Sequence, residues 1–336
     1  MQLAQDRWYV VLSTTELGNA PLGVRRLGLD LVFWRDGEGR PQVAVDRCPH
    51  RGAALSAGEV IDGCVVCPFH GFRFNGDGAC TAIPAHPDRT LPKAMSLAML
   101  GSREAHGFVW VWTGPTATPT TPVPFFDLEG WWYTGSELRE PVATHYTRAI
   151  ENQLDFAHLP FVHRSTIGRG MDPAMDIETV VDGDHIRAFQ RASVHGASIE
   201  VLAPNIWRLK TGPTWSFLAM VPVDDQQMIY YVRTYQRWTS WAPLAWLIGT
   251  LGRPLTLRVL RQDTPPVVSQ PVMETRLKMD EVLVPSDGPI IAYRRWRDAL
   301  RRELDPWGDR GRRTRRASSS PSTGNTVGSE GGDRGD

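Results

Sequence analysis

Short apolar runs dominate the first third of the chain. Arg7–Leu12, Leu31–Trp34 and Phe108–Trp112 are rich in β-branched and aromatic residues and are punctuated by Gly and Pro. This pattern predicts short strands from about Trp8 to Trp112. Gly114 to Pro124 is rich in Pro and Thr and carries no period, which predicts a linker. Beyond it the pattern mixes. Ala149–Leu159 predicts a helix, and Ile186–Val194, Thr214–Val221 and Met228–Trp238 predict strands. Asp224-Asp225-Gln226 between the last two predicts a hairpin turn. Ala242–Arg261 predicts a helix, and Pro289–Glu303 predicts an amphipathic one. From Asp305 onward the chain is rich in Arg, Ser and Gly, a composition that predicts disorder. The expected organisation is therefore three parts, 1–115, 116–308 and a tail at 309–336.

Composition narrows the class without naming it. The chain has 336 residues, enough for two domains with substantial cores. Its 41% hydrophobic content and zero formal charge favour neither disorder nor general nucleic-acid binding. The opening residues lack a basic region followed by an apolar run, so no signal peptide is expected, and the expected location is cytoplasmic. The longest apolar stretch, around Trp241 to Leu251, is broken by Pro243 and Gly249 and is too short for a membrane span.

Candidate chemistry enters with two short boxes. Cys48-Pro49-His50 and Cys67-Pro68-Phe69-His70 each offer one thiol and one imidazole, with sixteen residues between His50 and Cys67. Two thiolates on one iron and two imidazoles on the other describe a Rieske 2Fe–2S centre. Histidine ligation raises its potential to roughly −150 to +300 mV, and it passes one electron at a time. Gly52, Gly63 and Gly71 would permit tight loops close to the sulfurs. Zinc uses the same residue types at tetrahedral spacing. The order Cys-His then Cys-His, followed by His-Arg-Gly and His-Gly, resembles the Rieske family instead.

A second constellation runs from Asn152 to His163. On a helix Asn152, Asp155 and His158 are three apart and drift slowly around one face. Pro160 disfavours helix at Leu159, and the break would turn His163 back toward His158. Taken alone, a histidine beside Leu159 and Pro160 reads as a packed core residue. Taken with the upstream boxes, the pair reads as two ligands for Fe(II) that need one carboxylate to complete a facial triad.

With both motifs in one chain, the sequence resembles the terminal oxygenase component of the Rieske non-haem iron oxygenases, over nearly its whole length. The resemblance implies an α+β fold: an N-terminal all-β Rieske domain, then an α+β catalytic domain of helix-grip, START-like form, an antiparallel sheet with helices. It implies that Cys48, His50, Cys67 and His70 hold the 2Fe–2S cluster. Asn152, Asp155, His158 and His163 match the family's N-x-x-D-x-x-H-x-x-x-x-H pattern. His158 and His163 would hold the mononuclear Fe(II), and Asp155 would bridge from His158 to His70 of the partner subunit in a head-to-tail homotrimer. The other reading of Asp155 is an exposed helix acid paired with Arg148 or Arg164. Asp263, in Asp263-Thr264-Pro265-Pro266-Val267-Val268-Ser269-Gln270-Pro271, resembles the family's third ligand. The double proline also fits Asp263 as a helix N-cap, with Asp280 and Glu274 in reserve as ligands. Ile83–Pro87, Val284–Asp287 and Ala292–Trp296 resemble the branch with pheophorbide a oxygenase and saxitoxin-type hydroxylases. Respiratory Rieske proteins carry an extra disulfide. Here Cys64 reads as an apolar strand residue rather than a partner of Cys80, since a reducing cytosol disfavours disulfides.

The activity so implied is a monooxygenase that uses O2 to hydroxylate or oxidatively demethylate a small, ring-bearing substrate. An electron-transfer protein without oxygenase chemistry, or an oxidative cyclase or desaturase, are the alternatives. No Gly-rich dinucleotide fingerprint opens a βαβ unit, so electrons should come from a separate reductase or ferredoxin. Arg294–Arg316 holds ten Arg against four acidic residues, which fits a ferredoxin dock or, more simply, a solvated helix face and basic tail. Trp207, Trp215, Phe217, Met220 and Tyr231 read equally as pocket lining or as core.

Overall fold

The computed structural model describes residues 1–88, 94–115, 119–191, 198–271 and 274–303. The predicted tail at 309–336 and the Val194 end of one predicted strand lie outside them.

The first third is built from small antiparallel sheets. Strand Trp8–Ser13 pairs with Phe108–Trp112, which pairs with Ser102–Ala105. Leu22–Arg26, Leu29–Arg35, Pro41–Val45 and Met99–Leu100 form a second sheet in that spatial order. Glu59–Ile61, Cys64–Val66, Arg73–Phe74 and Cys80–Ala82 form a third. Trp8–Ser13 and Phe108–Trp112 are buried throughout, which is why they read as continuous apolar runs rather than alternating ones.

Residues 132–236 make a seven-stranded antiparallel sheet. Its spatial order is Trp132–Val142, Met228–Gln236, Thr214–Pro222, Ile206–Thr211, Ser198–Leu202, His185–Gln190 and Ile177–Asp182. The predicted hairpin is present, with Pro222 opposite Met228. Among the described residues four α-helices accompany the sheet: α1 (Tyr146–Leu154), α2 (Leu159–Val162), α3 (Ala242–Ser269) and α4 (Gly288–Leu300). The α+β architecture is the expected one.

Several elements differ from expectation. The helix predicted over Ala149–Leu159 ends at Leu154. Asp155 is extended, with φ −88° and ψ 117°. Its side chain accepts the Ala157 N–H at 2.7 Å, a local bond that competes with helix continuation. Helix resumes at Leu159 with Pro160 in its first turn, where a missing N–H costs nothing. The helix predicted over Ala242–Arg261 runs on to Ser269, through Pro265 and Pro266 in its last turns. The last predicted helix stops at Leu300, and Arg301–Glu303 pairs with Gln2–Ala4.

One core joins the two halves. Trp8, Val10, Phe108 and Trp110 pack in one cluster with Ile206, Trp215, Phe217 and Tyr231 of the large sheet. Asn205, fully buried, accepts the Val10 N–H at 3.2 Å and donates to the Val10 carbonyl at 3.0 Å.

Candidate metal centres

The two cysteine–histidine boxes form matching loops. Cys48 follows the strand Pro41–Val45, and Cys67 follows Cys64–Val66. In each loop the Cys N–H donates to a later carbonyl, Cys48 to Ala53 at 2.8 Å and Cys67 to Phe72 at 2.9 Å. In each, a glycine N–H returns to the Cys carbonyl, Gly52 at 2.9 Å and Gly71 at 3.0 Å. Both glycines have positive φ, +79° and +69°, a conformation that a side chain would strain. Gly63, also at positive φ, instead turns the Ile61–Cys64 hairpin away from these loops.

The loops separate the ligand types by depth. Cys48 and Cys67 are buried, while His50 and His70 are exposed with ring centroids 4.8 Å apart. Burial pushes the Cys48 thiol up to about 11, partly offset by backbone donors at His50 and raised further by Cys67. Two thiols held together inside and two imidazoles outside fit a cluster with thiolates on its inner iron and histidines on its outer iron. Cys64 and Cys80 are free thiols, with Cys64 in a strand as read from sequence.

The second centre sits where α1, α2 and α3 meet. His158 and His163 bracket the single turn of α2 as its two caps, with ring centroids 5.2 Å apart. Asp263 enters from the interior of α3 and is buried. One ligand atom from each of His158, His163 and Asp263 lies within 4.8 Å of the others. The N-cap reading of Asp263 therefore fails: α3 begins at Ala242, with Trp241 as its N-cap. Glu274 pairs with Arg297 and Arg301, and Asp280 is exposed, so neither reserve candidate joins the group.

The polar atoms here are unsatisfied in a way that suits a cation. His163 Nε2 is 2.9 Å from Asp263 Oδ1 and His158 Nε2 is 3.4 Å from it. Asp263 Oδ1 and both ring nitrogens of His158 are nevertheless buried without a hydrogen-bond partner. Buried polar atoms left unpaired cost about 1–3 kcal/mol each, and a shared divalent ion removes that cost. The charges are mutually tuned. Burial works against ionised Asp263, yet His158 and His163 hold it down at about 2. Burial works against protonated His158, yet Asp155 and Asp263 push it up to about 9.

Neighbouring residues hold the three candidate ligand side chains in place. His163 Nδ1–H donates to Gln262 Oε1 at 3.1 Å, which leaves Nε2 as the lone-pair nitrogen. Thr166 Oγ1 and Ser165 Oγ hold the Gln262 amide at 2.6 and 3.0 Å. Gln153 Nε2 donates to Asp263 Oδ2 at 3.2 Å. Asp155 Oδ2 lies 3.6 Å from His158 Nδ1, while Arg148 pairs with Glu281 instead. Asn152, in the last turn of α1, has its side-chain nitrogen buried without a partner. Gln153 and Gln262 were missed in the sequence because no spacing distinguishes them, although each adjoins a motif residue.

Strand register divides the candidate pocket residues. Trp207 and Met220 share a core with Ile150 and Leu154 of α1, and the Trp207 indole N–H donates to the Gln153 carbonyl at 2.8 Å. Trp215, Phe217 and Tyr231 lie in the other core cluster, packed on the first third of the chain. Tyr230, opposite Met220, is the residue near the site, and burial followed by the Asp263 charge raises its phenol. Arg294 and Arg297 do not form a solvated face either. Both are buried, Arg294 against Glu151 and Glu281 and Arg297 against Thr275 and Glu274.

Comparison with known proteins covers both regions of the chain. Residues 7–97 match the Rieske [2Fe-2S] domain, and residues 142–303 match the vanillate O-demethylase oxygenase C-terminal domain. The vanillate O-demethylase oxygenase subunit of Pseudomonas sp. strain HR199 is 33% identical over 208 residues, 61% of this chain and 56% of that protein. Chlorophyllide a oxygenase of Chlamydomonas reinhardtii is 41% identical over 139 residues, 41% of this chain and 21% of that protein. The chain thus spans little more than half of one relative and about a fifth of the other. The solved structure of Pseudomonas putida CBB5 NdmB superposes with a TM-score of 0.72 at 25% identity, covering 87% of this chain and 89% of that one. Two boxed cysteine–histidine loops, a buried His-His-Asp group on a helix-flanked sheet, and family matches over both regions make one assignment: the chain belongs to the Rieske non-haem iron terminal oxygenases, whose cofactors are a 2Fe–2S cluster and a mononuclear iron.

Proposed function

We propose that this chain is a monooxygenase that uses O2 and electrons from a separate reductase or ferredoxin to hydroxylate, or oxidatively demethylate, a small ring-bearing substrate. The observation that carries the reading is the gathering of His158 and His163, from the two ends of α2, and Asp263, from α3, into one group. A Rieske electron-transfer protein would have no use for that group. The names of the vanillate and chlorophyllide relatives support a ring-bearing substrate.

In this reading Cys48, His50, Cys67 and His70 hold the cluster, and His158, His163 and Asp263 hold Fe(II). When bound, the cluster would supply single electrons and the iron would supply O2 activation. The protein's residues set the conditions. Gln262 fixes His163 in the tautomer that presents Nε2. Gln153 anchors one oxygen of Asp263 and leaves the other for the metal. Asp155 Oδ2 lies 3.6 Å from His158 Nδ1, so its charge acts on that ring without a hydrogen bond, and Asp155 is the route to His70 of the partner subunit in a head-to-tail homotrimer. Asn152 lies beside that route. Trp207, Met220 and Tyr230 keep the adjoining space apolar and dry. Residues 1–115 form the Rieske domain, 116–308 the catalytic domain and 309–336 a tail, and the enzyme works in the cytoplasm within the pheophorbide a oxygenase-like branch.

The test is iron and acid-labile sulfide per chain after anaerobic reconstitution. The expected ratio is about three iron to two sulfide. His158→Ala or His163→Ala should lower it to about two to two, abolish turnover and leave the visible Rieske spectrum intact. Loss of that spectrum in either variant would refute the assignment of His158 and His163.

A further inference from the structure

The carbonyl of Gln153 has lost its helical partner. In a continuing helix it would accept the Ala157 N–H, four residues on. That N–H donates instead to Asp155 Oδ1 at 2.7 Å. Asp155 is extended, so the left-handed closure that commonly returns N–H groups to a helix's last carbonyls does not form. Gln153 is buried, and its carbonyl is satisfied from outside the helix. The Trp207 indole N–H donates to it at 2.8 Å. Trp207 is buried on the strand Ile206–Thr211, with Val201 and Leu218 as its cross-strand partners, so sheet register fixes where its donor stands.

The junction that Trp207 holds leads to all sides of the metal group. Gln153 is the last residue but one of α1, and its side chain donates to Asp263 Oδ2 at 3.2 Å. Asp155 follows two residues later, and His158 three after that. Without the indole N–H, the Gln153 carbonyl would be a buried acceptor competing with Asp155 for the Ala157 N–H. Capture of that N–H would extend α1 and carry His158 onto its face, away from His163. Core packing alone does not demand the bond. Trp215, on the neighbouring strand and equally buried, leaves its indole nitrogen without a partner.

We propose that Trp207 is a positioning residue of the mononuclear site. Its indole N–H latches the broken end of α1 at the Gln153 carbonyl. The latch fixes Asp263 through the Gln153 amide, and His158 through the turn at Asp155. The inference rests on the proposed reading of His158, His163 and Asp263 as iron ligands, and it adds the large sheet to the parts that set their geometry.

The test uses the full chain with its cluster reconstituted and Fe(II) added. Competitive chelation reads the affinity for iron beyond that of the cluster. Electron paramagnetic resonance of the ferrous–nitrosyl adduct, taken with the cluster oxidised, reads the ligand geometry without turnover. Trp207→Phe keeps the ring and removes the donor, and Gln153→Met keeps the carbonyl and removes the amide. Each should weaken iron binding about ten-fold and alter the nitrosyl spectrum, with the visible Rieske spectrum unchanged. The double variant should lose less than the product of the two, because both act through one residue. Trp215→Phe, which removes an unbonded indole, should keep the parental affinity and nitrosyl spectrum. A role in packing alone would lower the unfolding midpoint and leave the nitrosyl spectrum as it was. Parental values in either single variant, a full product in the double variant, or the same changes in Trp215→Phe would overturn the proposal. A parent that binds no iron beyond its cluster would instead refute the reading of the site, and that result is seen before any variant is made.

Discussion

Two adjacent residues of α3 act on opposite sides of the same imidazole. Asp263 faces His163 Nε2, and Gln262 holds His163 Nδ1. Outer hydrogen bonds of this kind set the tautomer and aim the lone pair, and losing one typically costs 10–100-fold in metal affinity. Gln262→Ala should therefore weaken mononuclear iron binding by about that factor while leaving sulfide content unchanged, as measured by competitive chelation. Gln262→Glu should retain most of the affinity, because a carboxylate also accepts from Nδ1. Equal iron binding in Gln262→Ala would show that α2 alone orients the ring.

At the scale of elements, α1 shows how a cap and a break position the site. His145 caps α1, with Nδ1 accepting from the Thr147 N–H, and it is fully buried. Burial, with Arg297, the N-terminus and Arg148 adding to it, drives its imidazole down to about 3. The folded state therefore resists a proton that the unfolded chain takes up near pH 6.5. Stability is fully present above that value and declines as pH falls toward 3. Between pH 7 and pH 5 this one group should remove about 2 kcal/mol. His145→Asn keeps a capping acceptor and has no such titration, so its guanidinium unfolding midpoint should fall less over that interval. Parallel losses in both proteins would exclude His145 as the source. The other end of α1 is set by Asp155. Its bond to Ala157 ends the helix at Leu154, so His158 falls at the start of α2 and not on the face of α1. The helical period in the sequence placed His158 near Asp155 for the wrong geometric reason, since the two residues meet through a turn.

Over the whole molecule, the strand Trp8–Ser13 is tied to the large sheet by more than apolar contact. Asn205 bonds both backbone groups of Val10 and also donates to the Met220 carbonyl at 3.3 Å. Arg233 stacks on Phe108, 3.5 Å from its ring centroid, and donates to the His106 and Gly107 carbonyls. Asn205→Ala would leave buried backbone groups of Val10 without partners. It should destabilise the chain by about 2–4 kcal/mol in guanidinium unfolding. An unchanged midpoint would mean that water replaces the amide and that the contact adds no stability. Such cross-links keep the cluster loops and the His-His-Asp group on one rigid scaffold, which a fixed relation between two redox centres requires.

The local chemistry of this protein was legible in its sequence because it is local. The Cys-His boxes, the Asp155–His163 run and the strand-rich first third depend on neighbours a few residues apart, and their residue types carry the signal. Asp263 was legible only through a resemblance, since nothing in its surroundings separates a ligand from a helix cap. Tertiary structure decided the rest. Sheet register put Tyr230 rather than Tyr231 toward the site, because one residue's shift along a strand reverses its face. Burial turned Arg294 and Arg297 from an expected surface patch into internal ion pairs, because folding brings Glu151 from α1 and Glu274 and Glu281 from the loop before α4 against that helix. The apolar stretch from Trp241 to Leu251 read as part of a helix and as too short for a membrane span. Only the packed fold shows which of its faces is left open, because exposure is a property of neighbours that the sequence does not name.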